Sequence, residues 1–141
     1  MISLLLEDMT FEQDIRELLM AFYPGEKYIY TDEDAILSLS LFKVDNKYHI
    51  KISSDDKILE FISPIKEAKI DTKNYLKRNI YNNLLKLGNE KLPWGTLTGI
   101  RPTKIVMEML ENNIYLEDIR KHLKEIYLVG DKRIELCINT A

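Results

Sequence analysis

A chain of 141 residues, 45% hydrophobic and 30% charged, has the composition of a soluble globular protein and the length to bury a core without disulfides or a structural metal. One cysteine (Cys137) and two histidines (His49, His122), with no carboxylates at metal-ligand spacing, exclude an iron–sulfur cluster or structural zinc held by this chain alone. The net charge of −3 is unevenly spread: residues 1–65 carry thirteen acids and six bases, residues 66–104 three acids and nine bases, and residues 105–141 seven acids and five bases.

The opening Met-Ile-Ser-Leu-Leu-Leu has no basic segment before it and reaches Glu7 at once. It reads as a strand over residues 2–7 and not as a signal peptide, and no apolar run approaches the ~20 residues that span a bilayer. A cytoplasmic protein without membrane contact is expected. Thr10 and Gln13 match a capping box, and Phe11, Ile15, Leu18, Leu19 and Phe22 recur at helical spacing. They predict a helix from Phe11 to Tyr23, stopped by Pro24-Gly25. Glu26 to Thr31 predicts a second strand with Tyr28 and Tyr30 on one face.

Three further strands are expected as a meander. Leu37, Leu39 and Leu41 alternate with Ser38 and Ser40, the period of a half-buried strand. Asp45-Asn46 suits a two-residue hairpin turn, because both residue types tolerate positive φ. Tyr48, Ile50 and Ile52 continue the alternation, and Ile58 to Ile62 closes it before Pro64. The expected fold class is α+β: an antiparallel β-sheet of four or five strands covered by the amphipathic first helix, followed by a helical C-terminal region. The expected domains are residues 1–70 and 71–141.

Beyond residue 70 the pattern is helical. Asp71 or Thr72 is placed to cap a helix reaching Leu87, with Leu76, Ile80, Leu84 and Leu87 as its apolar stripe and Gly88 as its stop. Pro102 suits the first turn of a helix, and further helices are expected over Leu116 to Tyr127 and from Asp131 onward. The last stripe, Ile134, Cys137 and Ile138, stops at Ala141 without a capping signal, so a continuation into a larger protein is expected.

The densest local signal is Leu92-Pro93-Trp94-Gly95-Thr96-Leu97-Thr98-Gly99-Ile100-Arg101-Pro102-Thr103-Lys104, with the one tryptophan of the chain, two glycines and two prolines. Glycines permit unusual backbone angles while prolines restrict them, so the segment reads as a shaped loop and not a flexible linker. Trp94 is a large apolar anchor. Arg101 and Lys104 flank a helix start, where free backbone amides also favour anions. The plainer alternative is structural: Trp94 filling a seam and Arg101 in an internal ion pair.

This string, with the helices after it, resembles the region before the radical SAM domain in HemZ-type coproporphyrinogen dehydrogenases, relatives of the oxygen-independent coproporphyrinogen III oxidases. The likeness covers roughly residues 75–141; the first 70 residues agree in layout. The resemblance implies a larger oxidoreductase of porphyrin and heme synthesis. Such an enzyme binds S-adenosylmethionine and a four-iron–four-sulfur cluster and oxidatively decarboxylates propionate side chains. The family's Cys-x-x-x-Cys-x-x-Cys cluster motif has no counterpart here, so no catalytic, cofactor or metal residue is assigned to this chain. Trp94, Arg101 and Lys104 are the candidate contacts, either with the radical SAM domain of the same chain or with an anionic tetrapyrrole substrate.

Two other readings compete. Tyr75 and Tyr81 lie among Lys73, Lys77 and Arg78, as in a polyanion- or RNA-binding module, but no stacking or groove-reading motif accompanies them. A purely oligomerising module is the other. The nucleic-acid reading is the weaker expectation, because a basic stretch is more often a solvated helix face.

Overall fold

A computed structural model describes residues 1–98 and 102–140. Its elements, in chain order, are β1 (Ile2–Leu6), α1 (Glu12–Phe22), β2 (Tyr28–Ile29), β3 (Leu37–Val44), β4 (Lys47–Ser54), β5 (Lys57–Pro64), α2 (Lys69–Lys86), α3 (Pro102–Glu111), α4 (Leu116–Glu125) and α5 (Asp131–Thr140). The chain divides into two compact units, Met1–Asn89 and Glu90–Ala141.

The first unit is α+β, as expected, with five strands in the order β2-β1-β3-β4-β5. The sheet is mixed and not purely antiparallel. β1 pairs in parallel with both β2 and β3, in register Ile2↔Leu37 through Leu6↔Leu41 on the β3 side. Apolar alternation specifies which face a residue occupies but not the direction of the neighbouring strand, so the meander pattern could not reveal this. The β3–β4 and β4–β5 pairs are antiparallel hairpins. Asp45 and Asn46 take φ of 50° and 58°, the left-handed pair that a two-residue hairpin turn needs.

One sheet face carries Ile2, Leu4, Leu37, Leu39, Leu41, Ile50 and Ile52, all buried. It packs with Ile15, Leu18 and Leu19 of α1 and with Leu76, Ile80 and Leu84 of α2. Each such side chain contributes about 1.5–3 kcal/mol by leaving water. Phe11 meets Tyr48 edge-on at 6.3 Å between ring centres, and Phe22 meets Tyr81 at 5.4 Å. α2 packs on α1 and β5 and lies in the unit Met1–Asn89.

Local signals met competition at two helix starts. Thr10 does not cap α1: its amide and hydroxyl both donate to Asp8 Oδ1, at 2.9 and 2.6 Å, and Gln13 donates to Glu17. Phe11 stands at the N-cap with no side-chain bond. α2 likewise starts before Asp71, with Ala68 as N-cap, and the buried Thr72 hydroxyl instead accepts the Lys66 amide at 2.8 Å. The strand expected over Glu26 to Thr31 contracts to Tyr28–Ile29. Its neighbour Tyr30 donates to Glu12 at 2.6 Å, and Arg16 of α1 lies 4.7 Å from the Tyr28 ring centre.

The second unit holds α3, α4 and α5 around Val106, Ile119, Leu123, Val129, Ile134 and Cys137, with Leu97 from the preceding turn. Among the described residues no helix is long and apolar enough to cross a membrane.

Candidate functional site

The segment singled out by sequence forms part of the second unit. Pro93 to Leu97 makes a turn in which Gly95 N–H donates to Leu92 O at 3.0 Å and Leu97 N–H to Trp94 O at 3.1 Å. This turn lies directly against the α4–α5 connection. Thr96 gives both its amide (2.8 Å) and its hydroxyl (3.2 Å) to Tyr127 O, and Gly130 N–H donates to Pro93 O at 3.1 Å. Gly95 has φ +57°, and a Cβ there would overlap the carbonyl groups of Tyr127 and Leu128. Glycine is required at this position twice over, by backbone conformation and by close approach.

Trp94 is half-buried and packs against the helical core of its own unit. The Arg133 guanidinium, from the first turn of α5, lies 5.3 Å from its ring centre. Lys104 is exposed on the first turn of α3. Arg101 lies outside the described residues. The structure therefore places Trp94 on the scaffold and Lys104 on the surface. Sequence reasoning did not find Arg133, Tyr127 or Gly130 as partners of the loop, since nothing in their spacing links them to residues 93–97.

His122 of α4 meets Tyr127 edge-on at 5.3 Å, and burial holds its pKa below the ordinary histidine value. Cys137 is 1% exposed in the helical core, where burial pushes its thiol pKa up. A thiol kept protonated by apolar packing is the opposite of what a cluster ligand requires. With a single cysteine in the sequence, the residues of this chain do not fit an iron–sulfur cluster. Among the described residues no three of His, Cys, Asp and Glu come together to hold a metal ion.

The basic residues of α2 are divided by the helix. Lys77 is buried, which lowers its pKa, and Asp14 and Glu17 of α1 oppose that shift. Lys69 lies 5.9 Å from the Phe11 ring centre. On another side of α2, Arg78 and Lys66 lie 4.5 and 5.3 Å from the Tyr75 ring centre. Within the first unit these basic residues are thus set in part against acids of α1 and against aromatic rings.

The chain is 30% identical over 145 aligned positions to the oxygen-independent coproporphyrinogen-III oxidase-like protein HemZ of Bacillus subtilis, an alignment covering 93% of this chain and 28% of that protein. The resemblance read from residues 92–104 therefore extends over nearly the whole chain. The chain spans little more than a quarter of the length of the relative it matches. No family model matches the chain, and no solved structure matches it.

Proposed function

We propose that residues 1–141 are a non-catalytic accessory region of a longer, cytoplasmic, HemZ-like radical SAM enzyme of porphyrin synthesis. The observation that carries this reading is the 30% identity over 93% of the chain to a coproporphyrinogen-III oxidase-like protein. On this reading the four-iron–four-sulfur cluster and S-adenosylmethionine are held elsewhere in the polypeptide, because one buried cysteine cannot supply three thiolates. The bound pair supplies the radical that removes hydrogen from propionate side chains. The role of the present residues is to fold and to present surface.

Within that role, Trp94 holds the loop to its own helices, and Arg101 and Lys104 are the groups offered to a carboxylate. That carboxylate belongs either to the radical SAM domain or to a substrate propionate. Arginine suits it because its planar fork donates two parallel hydrogen bonds.

The test is anaerobic cluster reconstitution and S-adenosylmethionine cleavage by the longer protein and by residues 1–141 alone. The longer protein is expected to take up iron and cleave; the isolated chain is expected to stay colourless. A stable four-iron cluster on the isolated monomer, or a longer protein that cleaves no S-adenosylmethionine, overturns the reading. Arg101→Ala and Lys104→Ala, assayed in the longer protein with the melting of residues 1–141 measured in parallel, test the contact role. Lost activity with unchanged melting supports it, and normal activity removes it.

A further inference from the structure

Two arginines hold carboxylates of their own chain, Arg16 that of Glu12 and Arg120 those of Glu117 and Glu135. Arg133 does not. It is exposed on the first turn of α5, and among the described residues no carboxylate forms an ion pair with it. The acids nearest to it in sequence are engaged elsewhere: Asp131 faces Lys124 at 3.3 Å and Glu135 faces Arg120 at 2.7 Å. What Arg133 has is Trp94, whose ring centre lies 5.3 Å from its guanidinium carbon.

That neighbour holds the arginine without satisfying it. An indole face attracts the positive charge but does not take the place of a carboxylate on the guanidinium fork. Trp94 is itself anchored, because it packs on the helical core of its unit. Its turn is tied to the α4–α5 connection by the Thr96 to Tyr127 and Gly130 to Pro93 bonds, three residues before Arg133. One clamp therefore positions both members of the pair. A guanidinium already held in place loses less freedom when it takes a ligand, and its planar fork matches a carboxylate.

Charge limits the size of the anion. Residues 90–141 carry eight acids and eight bases, a balance unlike the basic field that a nucleic acid requires. A small carboxylate taken by a single fork is the matching class. Resting on the reading of a porphyrin-synthesising enzyme, we infer that Arg133, held on Trp94, is a binding residue for a propionate carboxylate of the tetrapyrrole substrate. It adds to Arg101 and Lys104 a contact from α5.

Titration of residues 1–141 with coproporphyrin III, followed by quenching of Trp94 fluorescence, tests this, with the melting of each variant measured in parallel. The free acid is expected to quench saturably and its tetramethyl ester not to. Arg133→Met keeps an apolar stem against Trp94 and is expected to weaken binding about tenfold, as the loss of one charge-assisted contact does, with melting unchanged. Lys132→Met, the same loss of charge one residue away, should leave the affinity unaltered. Arg133→Lys keeps the charge but not the fork and should still bind several-fold more weakly than the unaltered chain. Should Arg133→Met melt lower, this lysine variant decides, and full affinity in it overturns the inference. Equal losses from the Arg133→Met and Lys132→Met variants, unchanged affinity in Arg133→Met, quenching by the ester, or no saturable quenching at all also overturn it. Those outcomes leave the accessory-region reading standing, since that reading is tested by cluster uptake in the longer protein. A longer protein that cleaves no S-adenosylmethionine while the Arg133 effect persists removes the enzymatic reading alone.

Discussion

Gly95 sits so close to Tyr127 that the space of a β-carbon is already taken by the Tyr127 carbonyl oxygen. Two segments far apart in sequence are thereby clamped backbone to backbone, with Thr96 donating twice to that same oxygen. Gly95→Ala is expected to destabilise the helical unit by about 2–5 kcal/mol, since a left-handed alanine costs about 1–2 kcal/mol and overpacking adds about 1–3. Gly88→Ala, where nothing lies within 4 Å, should cost only the backbone part, about 1–2 kcal/mol. Urea unfolding followed by Trp94 fluorescence reports the first variant, because the one tryptophan lies in that unit. Circular dichroism reports the second.

Asp8 joins α1's approach to the sheet. The Thr10 hydroxyl, followed by the Thr10 amide and the Tyr48 hydroxyl (2.8 Å), holds its carboxyl below the ordinary aspartate pKa against the opposing effect of burial. A depressed carboxylate stabilises the fold above its unfolded pKa, and that contribution is lost as pH falls through the folded value. Asp8→Asn is therefore expected to flatten the acid side of the stability curve below about pH 4. The urea midpoint measured from pH 6 down to acid checks this. A slope as steep as that of the unaltered chain assigns the acid sensitivity to other groups.

His122 has the same sign in a different window. Burial depresses its pKa, so the folded chain binds a proton less readily than the unfolded chain. Stability from this group is present above about pH 6.5 and is lost as pH falls through the folded pKa. His122→Gln should reduce the change in Trp94-reported stability between neutral and mildly acid pH. Titration of the imidazole by NMR gives the direction directly: a value above that of a free histidine contradicts it.

Asn113 ends α3 in the left-handed conformation, φ 59°, with its amide on Leu110 O and the Ile114 amide on Met109 O. This Schellman closure favours glycine or asparagine at that position. Asn113→Gly is expected to be neutral or stabilising by up to about 1 kcal/mol, and Asn113→Val to destabilise by about 1–2 kcal/mol. Paired urea melts of the two variants decide it.

Buried and open sides of one strand should respond oppositely to the same chemistry. Leu39→Ala, at 1% exposure, is expected to cost about 2–5 kcal/mol. Phe42→Ser, three residues on and on the open face, should change the stability of residues 1–141 far less. Thermal melts of both variants check the contrast, and comparable losses would mean that the open face is packed in the isolated chain.

What the sequence determined by itself was local. Alternating Leu and Ser made β3 a half-buried strand, Asp45-Asn46 closed a hairpin because both tolerate positive φ, and the Leu76, Ile80, Leu84 stripe set the buried side of α2. The string from Leu92 to Lys104 stood out by composition and carried a resemblance that holds along the chain. Periodicity reports which side of an element is apolar; it holds no information on what that side meets. Tertiary structure therefore decided that β1 runs parallel to β2 and β3, that α2 belongs with the sheet, and that Thr10 serves Asp8 and not α1. It also decided that Trp94 lies beside Arg133, and that Gly95 is held against Tyr127. Each of these depends on residues distant in sequence competing for the same hydrogen bond or the same space, and that competition is resolved only when the chain packs.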